Sequence, residues 1–270
     1  MIPENYSATA YNPATESTNQ IHSDEMAKAY GFRGGLVPGV VISGYLMEPA
    51  VQAWGEVWLK QGEAKVKVIK PLYDGLNFNV EVSQASSTAY TAALIDEEGN
   101  CCATGQFRLN PEATPPQLRG DKTLTKAHQP PPATLENMQS LQSNGMLALA
   151  INWDDSHNMA FYLKDESRMA ELHQPGKQGY AHGAFLLGIT NWVLAGNAYM
   201  NPWVHLQTSS QFFQLVPYGK RLIAECAITD LFEKKGHEFV DVTVNIFTEA
   251  EQTPVMASTL RAIYKMRPAS

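Results

Sequence analysis

The chain repeats itself at a fixed offset. Gly39 opens the apolar run Gly39-Val40-Val41-Ile42-Ser43-Gly44-Tyr45-Leu46, and Gly183 opens Gly183-Ala184-Phe185-Leu186-Leu187-Gly188-Ile189-Thr190. Behind each run comes a glycine turn and an amphipathic strand. Tyr73-Asp74-Gly75 leads into Phe78-Asn79-Val80-Glu81-Val82, and Pro217-Tyr218-Gly219 into Leu222-Ile223-Ala224-Glu225-Cys226. Gly39 and Gly183, Gly75 and Gly219, and Glu81 and Glu225 each stand 144 positions apart. Three landmarks held in step imply one structural unit present twice. Two copies of a unit pack against each other, and ligand sites favour the seam between such halves.

The pattern divides into a first unit over 1–112, a crossover linker over 113–145 with Pro115-Pro116 and Pro130-Pro131-Pro132, and a second unit over 146–270. In the first unit, Ser23 to Tyr30 reads as a short helix, capped by Ser23 or Asp24 and stopped at Gly31. Pro49 is predicted to kink or split the long apolar helix. Trp54 and Trp58, four residues apart, extend its apolar face. Alternating runs at 64–69, 78–82, 89–95 and 101–109, with the turn 96–100, predict antiparallel strands. Their counterparts are 203–213, 222–231, 238–248 and 254–265, and the longer Glu233–His237 turn takes the copies out of register. One further short helix is predicted near Leu135–Leu141. A long helix followed by a sheet that wraps it makes the fold class α+β, two tandem units.

Composition sets limits on function. Twenty Lys and Arg against 27 Asp and Glu leave a net charge of −7, which gives no basic stripe for nucleic acid. Cys101, Cys102 and Cys226 form no C-x-x-C pair, so no metal site is expected, and reduced thiols suit the cytoplasm. The start of the sequence lacks a signal-peptide pattern, and no stretch reaches the roughly 18 apolar residues of a membrane span. Trp153-Asp154-Asp155-Ser156-His157 matches no metal spacing and reads as a solvated loop. Gly31–Gly35 lacks the Lys-Ser/Thr ending of a phosphate loop. Phe212-Phe213 reads as packing.

The corner Asn19-Gln20-Ile21-His22-Ser23-Asp24, followed by Ala27, Gly31-Phe32 and Gly39, resembles the MaoC-like (R)-specific enoyl-CoA hydratases. Those enzymes carry an Asp-x-Asn-Pro-Ile-His corner, a short helix, a Gly-Phe loop and an apolar helix opened by His-Gly. The turn Pro71-Leu72-Tyr73-Asp74-Gly75 is similar to theirs, and Ala181-His182-Gly183 resembles the His-Gly opening in the second copy. The resemblance implies a double hot dog, in which each unit is a long helix wrapped by an antiparallel sheet. It also implies an acyl-thioester (de)hydratase, with CoA or carrier pantetheine present only as part of the substrate and no separate cofactor.

By the same resemblance His22 is the general base. Ser17 stands where the family has its aspartate, Asn19 where it also has Asn, and Gln20 replaces its proline. Serine cannot exchange a proton as a carboxylic acid does, and the nearest carboxylates, Glu16 and Asp24, do not stand at the family position. The first amides of the long helix, at Gly39 and Val40, lack internal acceptors and sit at the positive end of its dipole, suited to polarising a thioester carbonyl. His182 and Gly183 are their candidate equivalents. The bland alternatives are turn chemistry for Glu16, Asn19 and Asp24, a backbone-tied histidine for His182, and simple clearance for Gly39. Beside the hydratase stand two competing functions, a thioesterase and a non-catalytic acyl-CoA-binding protein. A homodimer is compatible with all three.

Overall fold

The computed structural model of the chain describes residues 1–154 and 179–267. The first half contains β1 (Tyr6–Thr9), α1 (Asp24–Ala29), α2 (Gly39–Trp54), α3 (Glu56–Gln61), β2 (Gly62–Val68), β3 (Asn77–Ser83), β4 (Ala89–Asp96) and β5 (Cys101–Leu109). A helix α4 (Leu135–Asn144) lies in the crossover, capped by Thr134, whose side chain accepts from the Asn137 amide. The second half contains β6 (Leu149–Asn152), α5 (Gly183–Asn197), β7 (Val204–Phe212), β8 (Arg221–Lys234), β9 (His237–Thr248) and β10 (Pro254–Lys265). The edge strands β1 and β6 are too short to have shown in the sequence pattern.

The strands form one antiparallel sheet in the order β1-β3-β4-β5-β2-β7-β10-β9-β8-β6. Each half therefore has the same strand sequence, and the two meet along β2 and β7. At the centre of that pairing Lys65 lies opposite Ser209, the residue 144 positions on. The repeat is thus a pseudo-two-fold axis, passing between a residue and its own copy. β8 and β9 run to 14 and 12 residues against 7 and 8 for β3 and β4, which is where the copies leave register.

Both long helices are apolar almost all round because the sheet encloses them. Every residue of α2 from Gly39 to Val51 is buried. The two helices touch closely: a Cβ on Gly44 would stand 3.0 Å from the Ala184 Cβ. Trp54 and Trp58 pack into the core with ring centroids 5.8 Å apart, one from the end of α2 and one from α3.

Pro49 does not divide the helix. α2 runs through it to Trp54, and the break comes at Gly55, where φ is +55°. Proline removes the amide that would bond the carbonyl four residues back, that of Tyr45. The Tyr6 hydroxyl donates to this carbonyl at 2.6 Å in place of the missing amide. Ser23 occupies the cap position of α1, but its side chain makes no capping bond; its hydroxyl donates back to Gln20 O at 2.8 Å. No helix among the described residues is long and apolar enough to cross a membrane.

Candidate active site in the seam between the halves

The corner before α1 is pinned from several sides. Leu36 N donates to Ile21 O, Asn12 Nδ2 donates to His22 O, and Val37 N donates to Leu72 O. Gly35 lies against the corner so closely that a Cβ there would sit 2.2 Å from His22 O. A side chain at this position would push the corner away, so glycine is required for close approach.

This packing sets the His22 ring. Nδ1 lies 2.7 Å from Leu36 O. A carbonyl can only accept, so Nδ1 carries the proton and Nε2 is left with its lone pair. Asn19 reads the same way. Trp203 N donates to its Oδ1 at 3.1 Å, which fixes the amide, and its Nδ2 donates to Trp203 O at 3.0 Å and, at a long 3.4 Å, to His22 Nε2. The Asn19 amide thereby clamps the first half to the start of β7 in the second. Burial lowers the pKa of His22, against an opposing pull from the Leu36 carbonyl, so the ring is a neutral base at ordinary pH.

His22 and Asn19 line a cavity of about 240 Å³ between the halves. Liquid water occupies about 30 Å³ per molecule, so the space takes a small organic group and not merely a water. Ile21, Phe32, Leu36, Ile42 and Leu72 supply apolar wall from the first half, and Trp203, Val204, Leu206, Ile263 and Met266 supply it from the second. Gly39 opens onto the same space. The cap position of α2 is Pro38, whose side chain makes no capping hydrogen bond. The Gly39 and Val40 amides therefore remain as hydrogen-bond donors at the positive end of α2.

The other residues named from sequence lie elsewhere. Glu16 is exposed and outside the cavity wall. Ser17 is half-buried, and its Oγ accepts from Asn19 N at 3.1 Å, so at this position a turn bond replaces the carboxylate of the resembled family. Asp24 is exposed; its Oδ1 accepts from Gly35 N at 2.9 Å, and that bond, ahead of nearby Lys28, holds its pKa below the usual range. Val40 is buried on α2 but not part of the wall. His182 is buried at the cap of α5, where Nδ1 accepts from Ala184 N at 2.9 Å and Nε2 lies 4.0 Å from Glu48 Oε2. Gly183 packs on Met47 and Phe212. Neither lines the cavity.

The wall also carries groups with no sequence motif: His205, Asn191, His237 and Lys70. His205 comes from β7, and its Nδ1 lies 3.0 Å from Asn191 Oδ1 on α5. Burial alone drives its pKa down to about 3. Lys70 is exposed at the rim, its Nζ donating to Asn100 Oδ1. Among the described residues, no Asp or Glu lines the cavity or hydrogen-bonds His22, and no three His, Cys, Asp or Glu side chains cluster as a metal site would require. Of the Trp153–His157 loop, Asp155, Ser156 and His157 lie outside the described residues.

Two helices, each wrapped by half of one continuous antiparallel sheet, with a cavity in the seam, make this a double hot dog. Solved structures share the whole architecture. A conserved hypothetical protein from Mycobacterium tuberculosis with a double hot-dog fold superposes with a TM-score of 0.61 at 13% identity, covering 97% of this chain and 96% of that one. A candidate MaoC-domain dehydratase from Chloroflexus aurantiacus gives 0.55 at 10% identity, covering 98% and 96%. A candidate thioesterase II from Thermobifida fusca gives 0.52 at 12% identity, covering 99% and 96%. No family model and no curated protein matches the sequence. At such identities the likeness is one of fold.

Proposed function

We propose that the seam cavity binds an acyl thioester, of CoA or of carrier pantetheine, and that the chain adds water to a 2-enoyl thioester or removes it from a 3-hydroxyacyl thioester. The observation that carries this reading is the pairing of a neutral imidazole, His22, with the uncapped start of α2 at one apolar cavity. In hydration, His22 Nε2 takes a proton from water as the oxygen bonds to the β-carbon. The π-electron pair moves onto the thioester as an enolate, held by the Gly39 amide at the positive end of α2. The imidazolium then returns its proton to the α-carbon. One water is consumed and one imidazole both takes and gives the proton, so no carboxylic acid is needed.

The test is turnover of trans-2-enoyl-CoAs, followed by loss of the conjugated thioester absorbance, with thiol release measured in parallel. Loss of conjugation without thiol release supports hydration, and thiol release would move the chain to the thioesterases. A thioesterase would work through a carboxylate or a positioned water beside the helix-start amides, and the two carboxylates nearest in sequence, Glu16 and Asp24, lie outside the cavity wall. A second reading, binding without chemistry, draws support from Ser17 in the carboxylate position. Thermal stabilisation by acyl-CoA with no turnover of any thioester is the result that reading expects.

A further inference from the structure

The hydrating water in this scheme has two hydrogens, and His22 accounts for one. We infer that His205, delivered from the second half, is a positioning residue that accepts the other hydrogen bond, so that the water oxygen faces the substrate. The inference rests on the acyl-thioester reading of the cavity.

Backbone geometry brings this histidine inward. Along β7, Phe212, Ser210 and Thr208 are buried at alternate positions, and strict alternation would next bury Leu206. Instead His205 is buried and Leu206 only half-buried. The pairing with β10 shows why. Arg261 pairs with Gln207 and Ala262 with His205, so Leu206 is an extra residue, a bulge. One extra residue re-aims every side chain beyond it. Val204 and His205 also have no strand counterparts in the first half: the residue 144 before His205 is Gln61, the last of α3. The strand is both lengthened and bulged at the place where the imidazole enters the cavity.

Two further contacts hold the ring. Asn191 Oδ1 accepts from Nδ1, which leaves Nε2 with its lone pair. Gly39 leaves space for the ring edge, since a Cβ there would stand 2.7 Å from His205 Cδ2 and 3.0 Å from Cγ. The same glycine therefore exposes its amide at the start of α2 and admits a second imidazole beside it. Among the described residues Nε2 has no hydrogen-bond partner, so a cavity water or a substrate hydroxyl is its natural donor. Burial keeps the ring neutral, so this acceptor survives across the working pH range.

The experiment compares wild type with His205→Leu, His205→Gln and Asn191→Ala on trans-2-enoyl-CoAs, with circular dichroism as the folding control. Loss of the acceptor in His205→Leu is expected to lower kcat about a hundredfold while KM stays within about threefold, since the defect lies in aligning the water. His205→Gln, whose carbonyl also accepts, recovers about tenfold of that loss, and Asn191→Ala, which leaves the ring unheld, falls between. Nitrogen-15 NMR of folded wild type, needing no variant, is expected to show His205 Nε2 as an unprotonated imine whose shift moves when saturated butyryl-CoA is added. Unchanged kcat in folded His205→Leu, or a protonated Nε2, overturns the inference and leaves the hydratase reading standing. A wild type inert on every thioester takes both down together.

Discussion

The two long helices begin on the same plan and end with opposite consequences. At the start of α2 the cap position is Pro38, which has no side-chain acceptor, and the first amides are left beside a cavity that holds His22. The residue 144 positions on is His182, whose ring accepts from Ala184 N and closes the start of α5. A capping side chain and a substrate oxygen compete for the same amides, so a helix start serves stability or ligand binding, not both at full strength. The first half carries the open arrangement and the second the closed one. Duplication supplied two candidate sites, and local chemistry distinguishes them.

That contrast is broken most severely at the histidines. His22→Ala is expected to lower kcat/KM by about 10² to 10⁴, the usual worth of a general base. Because burial depresses the His22 pKa, the deprotonated base persists below the ordinary histidine value of 6.5, and the acid limb of the wild-type kcat/KM profile should lie below that pH. An acid limb at or above it would mean another group controls the rate. The helix-start glycines come next. Gly39→Ala drives a Cβ into the buried His205 ring and is expected to cost roughly a hundredfold in activity. Gly183→Ala meets the end of the flexible Met47 side chain at 3.0 Å and should keep activity within a few-fold, about threefold. Equal losses in the two would erase the distinction between the helix starts.

Stability sharpens the same comparison. His205 is neutral when folded down to about pH 3, whereas the unfolded chain protonates it near 6.5. Between those values the unfolded state binds a proton that the folded state refuses, so stability falls as pH falls. The slope for one group is at most about 1.4 kcal/mol per pH unit, and denaturant titrations of wild type and His205→Gln should differ by it. His182→Ala, which uncaps α5, should cost at least about 1 kcal/mol in the same titrations while leaving kcat/KM near wild type. The smallest effect is assigned to Tyr6→Phe. It strips the Tyr45 carbonyl of the hydroxyl that replaces the Pro49 amide, at a cost of about 1 kcal/mol. In the second half the corresponding residues are Ala150 and Val193, where the helix has no proline and needs no such donor.

The fold was readable because it rests on periodicity and repetition. The strands at 64–69, 78–82, 89–95 and 101–109 alternate cleanly, and the 144-residue offset survives wherever backbone constraints are strict, at glycine turns and helix starts. That α2 runs on past Pro49 is not legible locally, because the tyrosine that satisfies the freed carbonyl lies 39 positions away. The site was readable only in part. His22 and Gly39 sit in a local motif, and both reach the cavity wall. Glu16 was singled out by nearness in sequence, which does not measure nearness to a cavity, and it is exposed. His205 carries no motif at all. A strict two-residue period assigns it to the outer face, and the bulge at Leu206 that reverses this depends on pairing with β10, more than fifty positions downstream. The short Asn19–Trp203 clamp was hidden in the same way, joining residues 184 positions apart.

The axis between Lys65 and Ser209 has a consequence for how such a molecule can change. In a pair of identical chains every substitution is made twice, so a change that improves one pocket is imposed on its mirror image as well. Here the residues facing each other across the axis are already different, and each position is written once. A histidine can enter one wall, and a cap can seal the opposite opening, without either change being copied. Fusion thus frees the halves to specialise while the sheet that joins them stays whole.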